Sequence, residues 1–267
     1  MTVGDFLARA TIELANADIA TARLDCLVLL EDALGLDRAT LLAHPERSLS
    51  AAQATALDKK CTQRKNHVPL AYIRHKAYFY GRTFYVNQRV LVPRPESEAM
   101  IDLLKACQLP PQPLIADIGT GSGCLGITTV LEIPHARLHA YDIDEGALAI
   151  AKQNARTHKV HAQFYQSDLL ATHGGPYDAI LANLPYVPEN YPINKAAGHE
   201  PQLALFAGDD GLDLYRIFWK QVAALQPMYV ITESLTEQHA PLRALAEQAH
   251  YVQREHNGLA QLFIVKT

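Results

Sequence analysis

After the proline-punctuated segment Val92-Pro93-Arg94-Pro95, short apolar runs alternate with longer stretches of helical periodicity. The runs fall at residues 114–118, 137–141, 162–165, 178–182 and 228–232, with a final pair near 250–253 and 261–265. Runs this short read as buried strands, and strands separated by helix-length connections pair as parallel neighbours. Six or seven of them with intervening helices predict a three-layer α/β domain with a mostly parallel sheet. Ligands in such sheets bind beyond the carboxyl ends of the strands, so the residues directly after each run are the candidate site.

The chain before this pattern reads differently. Leu24, Leu27, Val28, Glu31 and Leu34 follow a helical period that Gly35 is placed to stop, and Ser50 with Gln53 has capping-box spacing at the start of a later helix. A small helical module over residues 1 to about 70 is expected. Between Tyr78 and Val92 the chain turns aromatic and β-branched around Gly81-Arg82, which predicts a connecting hairpin.

Composition narrows the classes. Of 267 residues, 49% are hydrophobic and 19% charged, as in globular proteins and unlike disordered ones. No apolar stretch approaches the roughly 18 residues of a membrane span. Asp5, Arg9 and Glu13 interrupt the opening residues, so no signal-peptide core is read and the cytoplasm is the expected location. Cys26, Cys61, Cys107 and Cys124 form no C-x-x-C pair, and His135 with His139 lacks a third ligand, so neither a disulfide framework nor a metal site is expected. Net charge is −4, which gives no global attraction for nucleic acid. Yet from Lys59 through Arg94, with Lys60, Arg64, Lys65, Arg74, Lys76, Arg82 and Arg89 between, every charged side chain is basic. That strip reads as a docking surface for an acidic partner or as a solvated face.

The strand ends carry the chemistry. The first run leads into Asp117-Ile118-Gly119-Thr120-Gly121-Ser122-Gly123-Cys124, a glycine turn that lets backbone approach a ligand. Gly121, Gly123 and Gly126 also match a dinucleotide pattern, but the Asp117 carboxylate would repel a pyrophosphate and suits a cation. S-adenosylmethionine has no phosphate and carries an ammonium and a sulfonium. Asp142, ending the second run, can accept from both ribose hydroxyls. Asp144 and Glu145 read as the first turn of the next helix. Asp168, after the third run, is read as an acceptor for an adenine amine, with helix capping as its competing role. The fourth run ends in Asn183-Leu184-Pro185-Tyr186. An Asn side-chain oxygen and the Leu184 carbonyl can accept the two N–H bonds of one planar NH₂ group and steer its lone pair toward a methyl donor. Pro185 keeps Leu184 extended, and Tyr186 offers a flat face.

These residues resemble the class I S-adenosylmethionine-dependent methyltransferases, and among them the HemK-type release factor glutamine methyltransferases. The resemblance rests on Val92-Pro93-Arg94-Pro95-Glu96-Ser97-Glu98, the Asp117 to Gly123 turn, and Glu200-Pro201 followed by Gly208-Asp209-Asp210-Gly211-Leu212-Asp213. It implies a seven-stranded, mostly parallel sheet with a helical substrate-docking domain (1–73), a β-hairpin connector (74–95) and a catalytic domain (96–267). It implies methylation of the glutamine amide in the Gly-Gly-Gln motif of peptide chain release factors by direct in-line transfer. Asp117, Gly119, Thr120, Gly121, Ser122, Gly123, Asp142, Asp168 and Asn183 would bind the cofactor, and Asn183, Leu184, Pro185 and Tyr186 the amide. The Pro93 to Glu98 loop would cover the pocket through Arg94 and Glu98, or serve as a hinge. The family has Asn-Pro-Pro-Tyr, so Leu184 keeps the carbonyl but loses one fixed φ angle. Asn-Leu-Pro-Tyr is also similar to the motif of ribosomal RNA adenine dimethyltransferases, which makes adenine N6 methylation of RNA or DNA the alternative; a non-catalytic cofactor-binding module is a third reading. A monomer without direct nucleic-acid or membrane contact is expected.

Overall fold

The computed structural model of the protein describes residues 1–172 and 175–266. The chain packs as two units, one of Met1–Lys76 with Asn194–His199 and one of Ala77–Ile193 with the chain from Glu200 onward. The hairpin therefore belongs with the sheet, and a six-residue insertion from the sheet unit's sequence belongs with the helices.

The helical unit contains α1 (Val3–Ala15), α2 (Ala22–Leu34), α3 (Arg38–Ala43), α4 (Ala51–Lys65) and α5 (Leu70–Arg74). Capping boxes start α1 at Thr2 and Asp5 and α4 at Ser50 and Gln53, where each side chain satisfies a backbone N–H that lacks a helical partner. Gly35 ends α2 in the left-handed region at φ 64° and donates to the Glu31 carbonyl. Phe6, Leu14, Leu29, Leu30 and Leu57 fill its core. Asp25 is buried among these helices and paired with Arg64 at 2.6 Å. The ring N–H of His199 meets the Asn66 carbonyl at 2.8 Å.

In the sheet unit, β1 (Ala77–Phe79) and β2 (Arg82–Phe84) form a hairpin, followed by α6 (Glu98–Lys105) and β3 (Leu114–Ile118). Next come α7 (Cys124–Glu132), β4 (Arg137–Asp142), α8 (Glu145–Thr157), β5 (Ala162–Gln166) and β6 (Ala179–Ala182). The chain finishes with α9 (Asp213–Leu225), β7 (Tyr229–Glu233), α10 (His239–Gln248), β8 (Tyr251–Asn257) and β9 (Ala260–Val265). The seven-stranded sheet has the order β5-β4-β3-β6-β7-β9-β8, parallel except where β9 runs against β7 and β8. Side chains alternate between its faces. Ala116, Ile118, Ile180 and Val230 pack with Phe218, Trp219 and Leu242 of α9 and α10, whereas Ile115, Leu181 and Ile231 pack with Met100, Leu104 and Ile127 of α6 and α7. Both faces are thus covered, which is why the strands read as continuous apolar runs.

The connecting hairpin differs from its expectation in two respects. The hairpin turns at Tyr80-Gly81, both at positive φ, and its ladder ends at Phe84 instead of continuing toward Val92. Beyond Phe84 the backbone of Tyr85 is taken by a side chain: Asn154 Oδ1 accepts from Tyr85 N at 2.8 Å, and Asn154 Nδ2 donates to Tyr85 O at 2.9 Å.

Asn154 Nδ2 also donates to Ser122 O at 2.8 Å, so this buried amide ties the connector to the glycine turn. Asn154→Ala leaves three backbone groups without their partner and is expected to cost about 1–3 kcal/mol, read by chemical denaturation. An unchanged midpoint would show that water replaces the amide.

Candidate active site

The carboxyl ends of β3, β4 and β6 converge on one pocket. It is lined by Asp117, Gly119, Thr120, Gly121 and Ser122 from the first, Asp142 from the second, and Asn183, Leu184 and Pro185 from the third, with Asp168 beyond β5. Gly123 and Tyr186, also expected at the site, stand behind this lining.

The turn after β3 needs its glycines, since Gly119, Gly121 and Gly123 have φ of 70°, 53° and 78°. Two acids fasten it. Asp117 Oδ2 accepts from Thr120 Oγ1 at 2.6 Å and from Gly126 N at 3.0 Å, and Asp142 Oδ2 accepts from Gly121 N at 2.8 Å. A Cβ on Gly126 would lie 2.7 Å from Asp117 Oδ2, so glycine is what lets α7 come this close. Burial pushes the Asp117 carboxyl up to about 6, against the Thr120 and Gly126 bonds that hold it down. Asp142 is raised for the same first reason, with the Asp144 and Gly121 N–H groups opposing. Asp144 caps α8 by accepting from Gly146 N at 2.9 Å, one position before the first turn in which the sequence placed it, and Glu145 opens that turn. Asp168 is exposed, and among the described residues no helix follows it before β6, which argues against capping as its role.

Asn183 Nδ2 donates to Ser97 Oγ at 2.8 Å, an orientation that leaves Oδ1 as the side chain's remaining acceptor. Leu184 is 2% exposed and its Cδ2 lies 3.4 Å from where Gly119 would carry a Cβ, so it packs directly against the glycine turn. The Tyr186 hydroxyl donates to Glu233 Oε1 at 2.9 Å, and its carbonyl accepts from Gln238 Nε2 at 2.7 Å. The Gly208 to Asp213 motif explains itself here. Gly211, at φ 75°, has the Tyr186 carbonyl 2.1 Å from its Cβ position, so any side chain would displace the tetrapeptide. The Tyr215 hydroxyl lies 2.9 Å from Ala182 O and 2.6 Å from Glu233 O, joining the ends of β6 and β7.

Residues 5–74 match the family model described as PrmC N-terminal domain, and residues 97–199 that described as methyltransferase small domain. A release factor glutamine methyltransferase of Deinococcus radiodurans is 34% identical over 249 residues, covering 91% of this chain and 89% of that one. One from Koribacter versatilis is 36% identical, covering 83% and 81%. The chain belongs to the release factor glutamine methyltransferase family. A 16S rRNA N2 G1207 methyltransferase of T. thermophilus superposes with a TM-score of 0.54 at 18% identity, covering 72% of this chain and 50% of its own. At that distance the likeness speaks to the fold, which is that of the class I methyltransferases.

Against the family motifs, the loop from Pro93 is held by ion pairing. Arg94 meets the buried Glu200 at 2.7 Å, and Val92 N donates to its other oxygen at 3.3 Å, which gives Glu200-Pro201 a role the sequence did not disclose. Glu98 turns away from the pocket and accepts from Tyr80 N at 2.6 Å, so it fastens the hairpin. The basic strip is less available than its sequence suggests. Arg64, Arg74, Arg82 and Arg94 pair with Asp25, Asp32, Glu132 and Glu200, all acids from outside the strip. Ser97, Tyr215 and Gln238 are positioning residues that periodicity does not reveal; only Ser97 lay inside a motif.

Because the Asp117 carboxyl titrates higher in the folded chain than its ordinary 3.8, its ionisation between about pH 4 and 6 favours unfolding. Its contribution to stability is full below the lower value and falls by up to about 3 kcal/mol as pH rises through the upper one. Denaturation of Asp117→Asn across that window is expected to lack this downward component; identical pH slopes for both proteins would contradict it.

Proposed function

We propose that the protein transfers a methyl group from S-adenosylmethionine to the side-chain amide nitrogen of the glutamine in the Gly-Gly-Gln motif of peptide chain release factors. The observation that carries this reading is Asn183, fixed by Ser97 with its oxygen as the free acceptor, at a strand end beside the glycine turn.

The donor set fits the cofactor. Asp142 and Asp168 supply acceptors for hydroxyls and an amine, and Leu91, Ile143 and Leu169 supply apolar walls; of the two lining cations, Arg89 and Arg94, the second is paired with Glu200. When bound, S-adenosylmethionine supplies a methyl group on a sulfonium. Asn183 and the Leu184 carbonyl hold the NH₂ group through both N–H bonds, drawing the lone pair out of the amide π system. Pro185 keeps Leu184 extended so that its carbonyl stays presented. Such preorganised acceptors act where charge develops and need no rearrangement during transfer. Transfer is direct and in line, and water takes the released proton.

The helical unit would dock the release factor. With Arg64, Arg74, Arg82 and Arg94 engaged in internal ion pairs, Lys59 and Lys65, both exposed on α4, are the charges for that role. The described residues include no helix long and apolar enough to cross a membrane. A monomer acting in the cytoplasm, without direct contact to nucleic acid, is the accompanying reading.

Labelled S-adenosylmethionine offered with a purified release factor and, separately, a ribosomal RNA fragment tests the function. Label on the glutamine of Gly-Gly-Gln is expected; label on RNA adenine would overturn it. Asn183→Ala should lower turnover by roughly 10² to 10³-fold while cofactor affinity changes little, and near-normal turnover would remove Asn183 from the chemistry. Lys59→Glu with Lys65→Glu should raise KM for the release factor and leave cofactor affinity intact. Equal loss of both would argue against docking.

A further inference from the structure

Glu233, at the carboxyl end of β7, is 1% exposed and does not line the pocket, yet it faces the residues that build it. Its Oε1 accepts from the Tyr186 hydroxyl at 2.9 Å, while its Oε2 is buried with no hydrogen-bond partner. Leaving a buried carboxylate oxygen unpaired is costly, so its retention calls for a reason. Burial raises the carboxyl, and the side chains of Ser97, Tyr186 and Asn183, in that order, hold it down. Ala182 pairs with Thr232 in register, so Asn183 and Glu233 leave neighbouring strand ends side by side, and the Ser97 hydroxyl that Asn183 holds at 2.8 Å is brought to the same place.

A serine hydroxyl both donates and accepts. Alone, Ser97 would bond Asn183 equally well in either of its two amide orientations, and only one of these aims Oδ1 at a substrate NH₂. The ambiguity disappears once a stronger acceptor claims the serine proton. Ser97 then has only lone pairs to offer, and Asn183 must present Nδ2 to it, as the structure shows.

We propose that Glu233 and Ser97 form a polarity latch, in which the Glu233 carboxylate accepts the hydrogen bond of the Ser97 hydroxyl and thereby locks Asn183 with its oxygen toward the substrate amide. The same carboxylate anchors Tyr186 through its phenol, so one buried acid sets two members of the tetrapeptide. Both latch members are positioning residues. The latch rests on the amide-methylation reading, and it has a consequence of its own: shape at position 233 is not enough. Glu233→Gln preserves size and packing but adds a donor, which lets Ser97 receive a proton from residue 233 and give its own to Asn183 Oδ1.

The test compares Glu233→Gln with the wild type on a release factor. Expected are a kcat lower by roughly 10²-fold, the loss typical of a misplaced reacting group, and a cofactor Kd within about twofold. The double variant Glu233→Gln with Asn183→Ala is expected to be no slower than Asn183→Ala alone, because Gln keeps an oxygen for the Tyr186 hydroxyl and the latch itself acts through Asn183. An unchanged kcat, or losses that multiply, would overturn the latch without touching the functional reading. A second readout is independent of turnover: the side-chain NH₂ protons of Asn183 should exchange slowly in the wild-type NMR spectrum and faster in Glu233→Gln, and equal rates would overturn it. Should Glu233→Gln fail to fold, Ser97→Ala removes the same relay and carries the same expectations.

Discussion

Parallel pairing of β3 with β4 on one side and β6 on the other, and of β6 with β7, decides where chemistry can sit in this protein. The register sets Ile118 beside both Tyr141 and Ala182, and Ala182 beside Thr232. One residue further along each strand or just beyond it stand Gly119, Asp142, Asn183 and Glu233. Residues far apart in sequence thus share one edge because their strands end together. The apolar layers on both faces favour apolar side chains along the central strands, so functional groups concentrate where the strands stop.

That placement has an electrostatic consequence. Asp117, Asp142 and Glu233 are all raised by burial, and each is kept in place by donors that the local backbone or a neighbouring side chain supplies. Thr120 and Gly126 hold the first, Gly121 and Asp144 the second, and Tyr186 the third. The acids do structural work: two shape the glycine turn and one braces the tetrapeptide. A poorly solvated pocket strengthens the hydrogen bonds that Asn183 and Leu184 offer to an amide.

Much of this was legible in the sequence. The run at 114–118 coincides with β3, and the runs for β4, β5, β6, β7 and β9 end within two residues of their strands, because buried strands leave an apolar signature; β8 runs four residues beyond its run, to Asn257, since this edge strand is mostly exposed. The caps of α1, α2 and α4 follow from local hydrogen bonding, and those of α2 and α4 were readable from Gly35 and Ser50 alone. What the sequence concealed involves long-range partners. The hairpin stops at Phe84 because Asn154, from α8, takes the backbone of Tyr85. The basic strip is partly neutralised by acids such as Asp32 and Glu132 that lie outside it. Ser97 acquires meaning only when β6 brings Asn183 to it. No periodicity reports such contacts, and the motif around Ser97 marked the segment without stating its task.

The central claim is that Asn183 presents its side-chain oxygen, together with the Leu184 carbonyl, to the NH₂ group of a glutamine. A crystal structure of the protein with the demethylated cofactor and a Gly-Gly-Gln segment of a release factor measures this directly. The account predicts the glutamine nitrogen within hydrogen-bond distance of Asn183 Oδ1 and Leu184 O, with Asn183 Nδ2 still on Ser97. A glutamine bound elsewhere, or one that meets Asn183 through Nδ2, would contradict it.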